Sequence, residues 1–346
     1  MTAFSSLFSK TATHSPVRLM LFVWALSLSA AGLLLASCSF SGQEYKKRFP
    51  QGTAANASEL NLREERPRLS SEEPEYKKPA GTRQQEVSGA HSDNWGKEQV
   101  NGNPDLLECP ALSGREGDWF VTHYADGQVN YSMEYSTEAH HSRWVCFSFT
   151  DETAQKNVKR TDEWGWDPAI PRIFETDQRD YSGYTRGHMV ASNDRVFSYE
   201  ANVQTFYYTN MSPQRSKHNT GVWKQLEDRV QKWGRNRRFR HVMYVVKGGT
   251  IREDQIEGRT KGGVVVPRYY WMAVLVEKEG KYKAIAFRTE HNRPASVDRL
   301  LSLAIPVDVL EKHTGLDLFH NLPDEIENQV EAAQPRQHVS EWPGIN

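Results

Sequence analysis

Cysteine is scarce in this chain: three residues of 346, at positions 38, 109 and 146, with no CxxC pair. A zinc ribbon or a thioredoxin-like redox motif is therefore excluded. An excess of charge of either sign is also missing. The formal net charge is −1, so the whole chain carries no polyanion signature and any such signal must be local. Neither GxxxxGK[ST], HExxH nor GxSxG occurs, which argues against P-loop enzymes, the zinc proteases of that type and serine hydrolases with a nucleophile elbow. Long hydrophobic runs are lacking too, with one exception near the start.

That exception is Leu19–Leu35, uncharged throughout and preceded by Lys10, His14 and Arg18. It ends in Leu35-Ala36-Ser37-Cys38, small residues before a cysteine. The pattern is that of a signal peptide, and its end resembles a bacterial lipobox, with cleavage before Cys38 and acylation of its thiol. An uncleaved membrane anchor is the alternative, since such a run is near the lower limit for spanning a bilayer. Either reading places the rest of the chain outside the cytoplasm, in the bacterial cell envelope. In an oxidising compartment the remaining pair, Cys109 and Cys146, is either a disulfide or two small buried thiols.

Residues 39–105 read as a disordered tether. They are rich in Glu, Lys, Arg, Ser, Gln, Asn and Gly, with Pro50, Pro67, Pro74 and Pro79 and few large aliphatics, too little apolar surface to offset the entropy of ordering. A folded domain is expected over 106–322. Alternating segments 118–124 and 128–135 flank Asp126-Gly127, a type I′ hairpin signal, and 143–149 is a third strand. The apolar stripe Trp223, Leu226, Val230, Trp233 predicts a helix over 219–233, stopped by Gly234. Further strands are expected at 241–246, 264–266, 269–276 and 282–288, and short helices near 296–303 and 307–313. The polar tail 323–346 is expected to fray. The pattern is α+β: a mainly antiparallel sheet with helices packed on it.

Three blocks carry the chemistry: Tyr184-Thr185-Arg186-Gly187-His188, Asn210-Met211-Ser212-Pro213-Gln214, and Asn219 followed by Trp223, Leu226 and Glu227. In order and spacing they resemble the D-R-G-H, N-x-x-P-Q and N-x-x-x-W-x-x-L-E blocks of the DNA/RNA non-specific endonucleases of the ββα-metal class. The resemblance implies a sequence-nonspecific, metal-dependent nuclease acting on DNA and RNA. It implies His188 as the base that activates water and Asn219 as direct ligand of one ion, Mg²⁺, Mn²⁺ or another divalent cation. Glu227 corresponds to a carboxylate reaching that ion through water, Arg186 to an arginine near the scissile phosphate, and Asn210 to a residue supporting the histidine or phosphate. Relatives are often dimers, so a homodimer is a further expectation.

The chemistry stands on its own terms. A neutral imidazole can take a proton from water near pH 7. A hard cation can neutralise charge developing on phosphorus and needs few protein oxygens. An arginine fork suits phosphate, and Gly187 would let backbone approach a substrate. Asn219 and Glu227 are eight residues apart, roughly 12 Å of rise and about 80° of rotation in a regular helix. Both can serve one ion only if Glu227 acts through water or Asn219 is a non-helical N-cap. Trp223 reads as core rather than a stacking platform.

Two positions depart from the pattern. Thr185 replaces the Asp, and Gln231 stands where an Arg is common. The acid-free stretch 229–241, with Arg229, Arg235, Arg237 and Arg238, is either a solvated loop or a track for a polyanionic backbone. Besides the active nuclease, two readings remain: a catalytically weakened, surface-anchored nucleic-acid-binding lipoprotein, and a phosphodiesterase of small esters on the same scaffold.

Overall fold

The structure is a computed structural model, and it describes residues 99–292 and 296–346. The expected signal segment, Cys38 and nearly all of the expected tether lie outside the described residues. Among those described, no helix is long and apolar enough to cross a membrane.

The described residues form twelve strands: β1 (Gln99–Asn101), β2 (Asp118–Ala125), β3 (Gln128–Ser136), β4 (His141–Phe149), β5 (Thr185–His188), β6 (Met211–Gln214), β7 (Val242–Gly249), β8 (Ile256–Arg259), β9 (Val265–Pro267), β10 (Tyr269–Lys278), β11 (Lys281–Glu290) and β12 (Ala304–Ile305). Eight form one sheet in the order β1-β2-β3-β4-β7-β10-β11-β12, and two small sheets pair β5 with β6 and β8 with β9. All pairings in the large sheet are antiparallel except β1 on β2. The β2–β3 hairpin turns at Asp126 (φ 47°) and Gly127 (φ 74°), the two left-handed residues of a type I′ turn.

Among the described residues five α-helical segments accompany the sheet: α1 (Tyr199–Gln204), α2 (Ser216–His218), α3 (Lys224–Gly234), α4 (Val307–Thr314) and α5 (Asp324–Glu331). The central strands are apolar on both sides because both faces of the sheet are covered. Val145, Phe147 and Phe149 of β4 face a core shared with Trp223, Leu226, Val230 and Trp233. Trp144 and Cys146 of the same strand face the opposite core, with Val307 and Leu310 of α4 and Val330 of α5. The fold class read from the sequence, α+β with helices on a mainly antiparallel sheet, is the one observed.

Three expectations are corrected, and one alternative left open by the sequence is decided. Order begins before residue 106: β1 pairs with the edge of β2, where backbone hydrogen bonds hold a polar segment that buries little. The segment 296–303 forms only a single 3₁₀ turn, Leu300–Leu303. The residues after 323 do not fray. They form α5 and then insert Trp342 (2% exposed) and Ile345 (0%) into the core, with Trp233 Nε1 donating to the Pro343 carbonyl at 3.0 Å. Two apolar anchors in a polar tail are enough when each is buried against the core. Finally, Cys109 and Cys146 are free, fully buried thiols with sulfurs 3.4 Å apart, adjacent but well beyond the ~2.05 Å of a disulfide.

Candidate active site

The three sequence blocks converge on one supersecondary unit. β5 (Thr185–His188) pairs antiparallel with β6 (Met211–Gln214), and the helical run from α2 to α3 follows directly. The two strands are too short and too polar to show alternation, so the motif and not the periodicity located them. Gly187 has a packing reason: a Cβ there would meet the Gln214 side chain at 2.2 Å. The close approach it permits is to Gln214, not to a substrate as expected.

Asn219 is not an N-cap. The helix begins at Ser216, and Asn219 has helical dihedrals (φ −59°, ψ −47°). The eight-residue problem is resolved differently. Asn219–Trp223 forms a π-helical turn, and Gly221 inside it leaves helical geometry altogether (φ −100°, ψ −114°). The inserted turn changes the rotation between Asn219 and Glu227, as π-bulges do. Both residues line the same cleft.

That cleft has a volume of about 860 Å³. His188, Arg186, Asn219 and Glu227 line it, together with Thr185 and Gln231. Three buried polar atoms of this set have no hydrogen-bond partner: His188 Nε2, Arg186 Nη1 and Glu227 Oε1. Buried polar groups are normally satisfied, so three orphans around one cleft mark a place made for a polar ligand. The Asn219 amide is oriented: its Nδ2 donates to Thr185 Oγ1 at 3.3 Å, and that hydroxyl donates to the Gln214 carbonyl at 2.8 Å. With nitrogen so engaged, Oδ1 is left free.

His188 packs edge-on against Phe206 (centroids 4.9 Å) and beside Trp164 (5.5 Å). Burial, reinforced by Arg160, Arg186 and Lys247 and opposed by Asp194, pulls its pKa down to about 3. The imidazole is therefore neutral. Arg186 lies with its guanidinium carbon 3.7 Å from the centroid of the Trp164 ring, which fixes the fork by a cation–π contact. Beneath Glu227 lies a buried ionic network. Lys247 Nζ reaches Asp194 Oδ2 at 2.6 Å, both side chains fully buried, and lies 3.7 Å from Glu227 Oε1. Burial lifts the Glu227 carboxyl to about 7, with Lys247 pulling the other way. Gln231 Nε2 donates to Asp194 Oδ1 at 2.9 Å, and its Oε1 accepts from Asn193.

Not every expected residue reaches the cleft. Asn210 is fully buried and spends its side chain on backbone: Nδ2 donates to the Val190 and Thr205 carbonyls (3.0 and 2.7 Å), and Oδ1 accepts from Val190 N at 2.8 Å. It clamps the chain just after His188 and has nothing left for phosphate or imidazole, so the catalytic assignment is corrected to a positioning one. Trp223 is core, 0% exposed.

The arginines of 229–241 do not form a track into the cleft. Arg229 donates to the Pro343 carbonyl at 3.2 Å, Arg237 pairs with Asp151 at 3.1 Å, and Arg235 donates to the carbonyl of Asn193 at the rim. Arg238 is exposed and lines no part of the cleft. The basic side chains that do line it, besides Arg186, are Lys159, Arg160 and Lys224. These were missed because they lie in two separate segments that only folding unites. Lys247 had a signal: a lone charge in the apolar run of β7.

The sequence profile of the family described as DNA/RNA non-specific endonuclease matches residues 121–325. Nuclease 1, mitochondrial, of Schizosaccharomyces pombe is 30% identical over 217 residues, covering 58% of this chain and 67% of that protein. Nuclease EXOG, mitochondrial, of Xenopus laevis is 29% identical, covering 56% of this chain and 58% of the relative. A nuclease of Serratia marcescens is 27% identical, covering 58% and 77%. Among solved structures, that of the EndoG/EndoGI complex aligns with TM-score 0.52 at 22% identity, over 59% of this chain and 88% of the other, a likeness of fold.

Proposed function

The chain belongs to the DNA/RNA non-specific endonuclease family, and we propose that it hydrolyses phosphodiester bonds of both DNA and RNA, with His188 as general base and Asn219 and Glu227 holding one divalent ion. The observation that carries this reading is the set of orphaned atoms, His188 Nε2, Arg186 Nη1 and Glu227 Oε1, around one cleft with the Asn219 amide turned nitrogen-away. A free amide oxygen and a buried carboxylate oxygen are the hard donors a Mg²⁺-type ion takes. Such an ion would neutralise charge developing on the phosphate.

The chain's own residues supply the rest. His188 Nε2 accepts the proton of the attacking water. Its low pKa is held down partly by Arg160 and Arg186. A phosphodiester entering the cleft offsets those charges and raises the basicity of the imidazole when it is needed. Arg186, pinned on Trp164, presents its unpartnered Nη1 to a phosphate oxygen. Lys159, Arg160 and Lys224 hold the backbone on either side. The apolar run before Cys38 favours a lipid-anchored, extracytoplasmic protein as the setting.

The test is degradation of plasmid DNA and of RNA by the purified chain. Activity with Mg²⁺, its loss in EDTA and a loss of at least ~10³-fold in His188→Ala are expected. Full activity in chelator, or in His188→Ala, would refute the mechanism. Salt-sensitive binding without cleavage would instead support the weakened binding lipoprotein.

A further inference from the structure

On the face of the sheet opposite the cleft, α4 and α5 bring three carboxylates together. Asp308 and Glu311 lie one turn apart on α4, and Glu331 ends α5. One oxygen from each lies within 4.8 Å of the other two. Glu311 also accepts from Leu318 N–H at 2.7 Å, which fixes its side chain. Among the described residues no lysine, arginine or histidine makes an ion pair with any of the three.

An acidic cluster alone would say little, but Glu331 is not a surface acid. It is 5% exposed, its Oε1 is sealed from solvent, and that atom has no hydrogen-bond partner. It also sits at the C-terminal end of a helix, where the backbone dipole disfavours an anion. Asp308, Glu311, Asp317 and Glu327 all raise its pKa further, after burial itself. An isolated carboxylate so placed is costly unless a counter-charge is supplied.

We propose that Asp308, Glu311 and Glu331 form a second cation site, structural rather than catalytic, that takes a Ca²⁺-type ion and staples α5 to α4. The donor set fits: three carboxylate oxygens are hard ligands, and Ca²⁺ accepts such a set in flexible geometry with waters filling the rest of its shell, where Mg²⁺ demands a near-ideal octahedron. Waters complete the shell on the half-exposed side formed by Asp308 and Glu311. Asp308 and Glu311 lie inside the family match, and Glu331 lies beyond its end at residue 325. Its consequence is mechanical. α5 leads into the tail that carries Trp342 and Ile345 into the core, and the ion anchors the start of that tail.

The experiment counts Ca²⁺ retained by the full chain after removal of metal by EDTA and equilibrium dialysis, alongside thermal melting with and without Ca²⁺. Asp308→Asn and Glu331→Gln should each lower the retained Ca²⁺ by one ion per chain, or weaken it at least tenfold, and abolish the rise in melting temperature. Mg²⁺-supported cleavage of plasmid should be unchanged. If Glu331→Gln fails to fold, Asp308→Asn, at a half-exposed position, decides. An equal Ca²⁺ count and equal melting shift in wild type and variants would overturn the proposal. So would a wild type whose melting ignores Ca²⁺, the behaviour of carboxylic acids that only share protons.

Discussion

Thr185 is the position at which the candidate metal site is most open to test. Its hydroxyl accepts from Asn219 Nδ2 at 3.3 Å and donates to the Gln214 carbonyl at 2.8 Å. Thr185→Val keeps the shape and removes both bonds. An ordinary hydrogen bond contributes about 1 kcal/mol net. The bond to Gln214 belongs to the β5–β6 pairing and its loss lowers stability. The bond to Asn219 decides which end of the amide faces the cleft, and its loss lets nitrogen compete with oxygen for that place. About 1 kcal/mol is then withdrawn from ion binding, equivalent to a rise of about fivefold in half-saturating Mg²⁺. The assay is the initial rate of plasmid cleavage against Mg²⁺. The rate at saturating ion should stay within about twofold of wild type, because nothing that touches substrate has changed. Thr185→Ser should restore the wild-type curve. Thr185→Asp, the family's residue, keeps an acceptor for Asn219 Nδ2 but cannot donate to the Gln214 carbonyl, so it should restore the Mg²⁺ curve and not the stability. An unchanged Mg²⁺ curve for Thr185→Val, or a collapse in rate at saturating ion, would refute the argument that this hydroxyl orients the ligand.

Two further outcomes follow from the structure. Burial holds the Glu227 carboxyl at about 7, so below that pH an ion must displace a proton. Half-saturating Mg²⁺ should rise about tenfold per pH unit below 7, and saturating Mg²⁺ should recover the rate at pH 6, because His188 stays neutral down to about 3. A rate at pH 6 that no amount of Mg²⁺ restores would contradict this. Trp342→Ala removes a ring that is 2% exposed and 5.2 Å from the Trp233 ring. It should cost about 3–5 kcal/mol in urea unfolding, whereas a cost under about 1 kcal/mol would mean that the tail frays as its composition suggests.

The tail shows where sequence reading stopped. Composition averages over residues 323–346, and a few apolar side chains cannot lift the average of a polar segment. Packing does not average, and Trp342 and Ile345 each fill a specific vacancy beside Trp233, Phe239 and Leu301. The strongly periodic elements were legible because each buries a whole face: the β2–β3 hairpin, β10, β11 and the stripe of α3. The β5–β6 hairpin of the candidate site was not legible by period, since its strands have four residues each. Residue identity at fixed spacing located it instead. The π-helical turn was invisible for a related reason. Nothing in Asn219-Thr220-Gly221 forbids a regular helix, and the placing of Asn219 and Glu227 on one cleft is a tertiary matter.

The two departures from the family pattern are better understood through their partners than as losses. Gln231 replaces a cation, yet the ground it stands on is already supplied with one: Lys247 is fully buried against Asp194 and 3.7 Å from Glu227. A guanidinium at 231 would add a second positive charge to a dry network containing Asp194, Glu227 and Lys247, and its attraction would have to exceed the cost of desolvating it. Glutamine instead donates to Asp194 and accepts from Asn193, tying the network to the cleft wall without altering its charge. Thr185 likewise gives up a carboxylate but gains the ability to donate, and it uses both capacities at once. In each case hydrogen bonds stand where the family pattern has a charge, and among the residues lining the cleft His188 Nε2 and Arg186 Nη1 keep no hydrogen-bond partner while Glu227 Oε1 lies 3.7 Å from Lys247 Nζ.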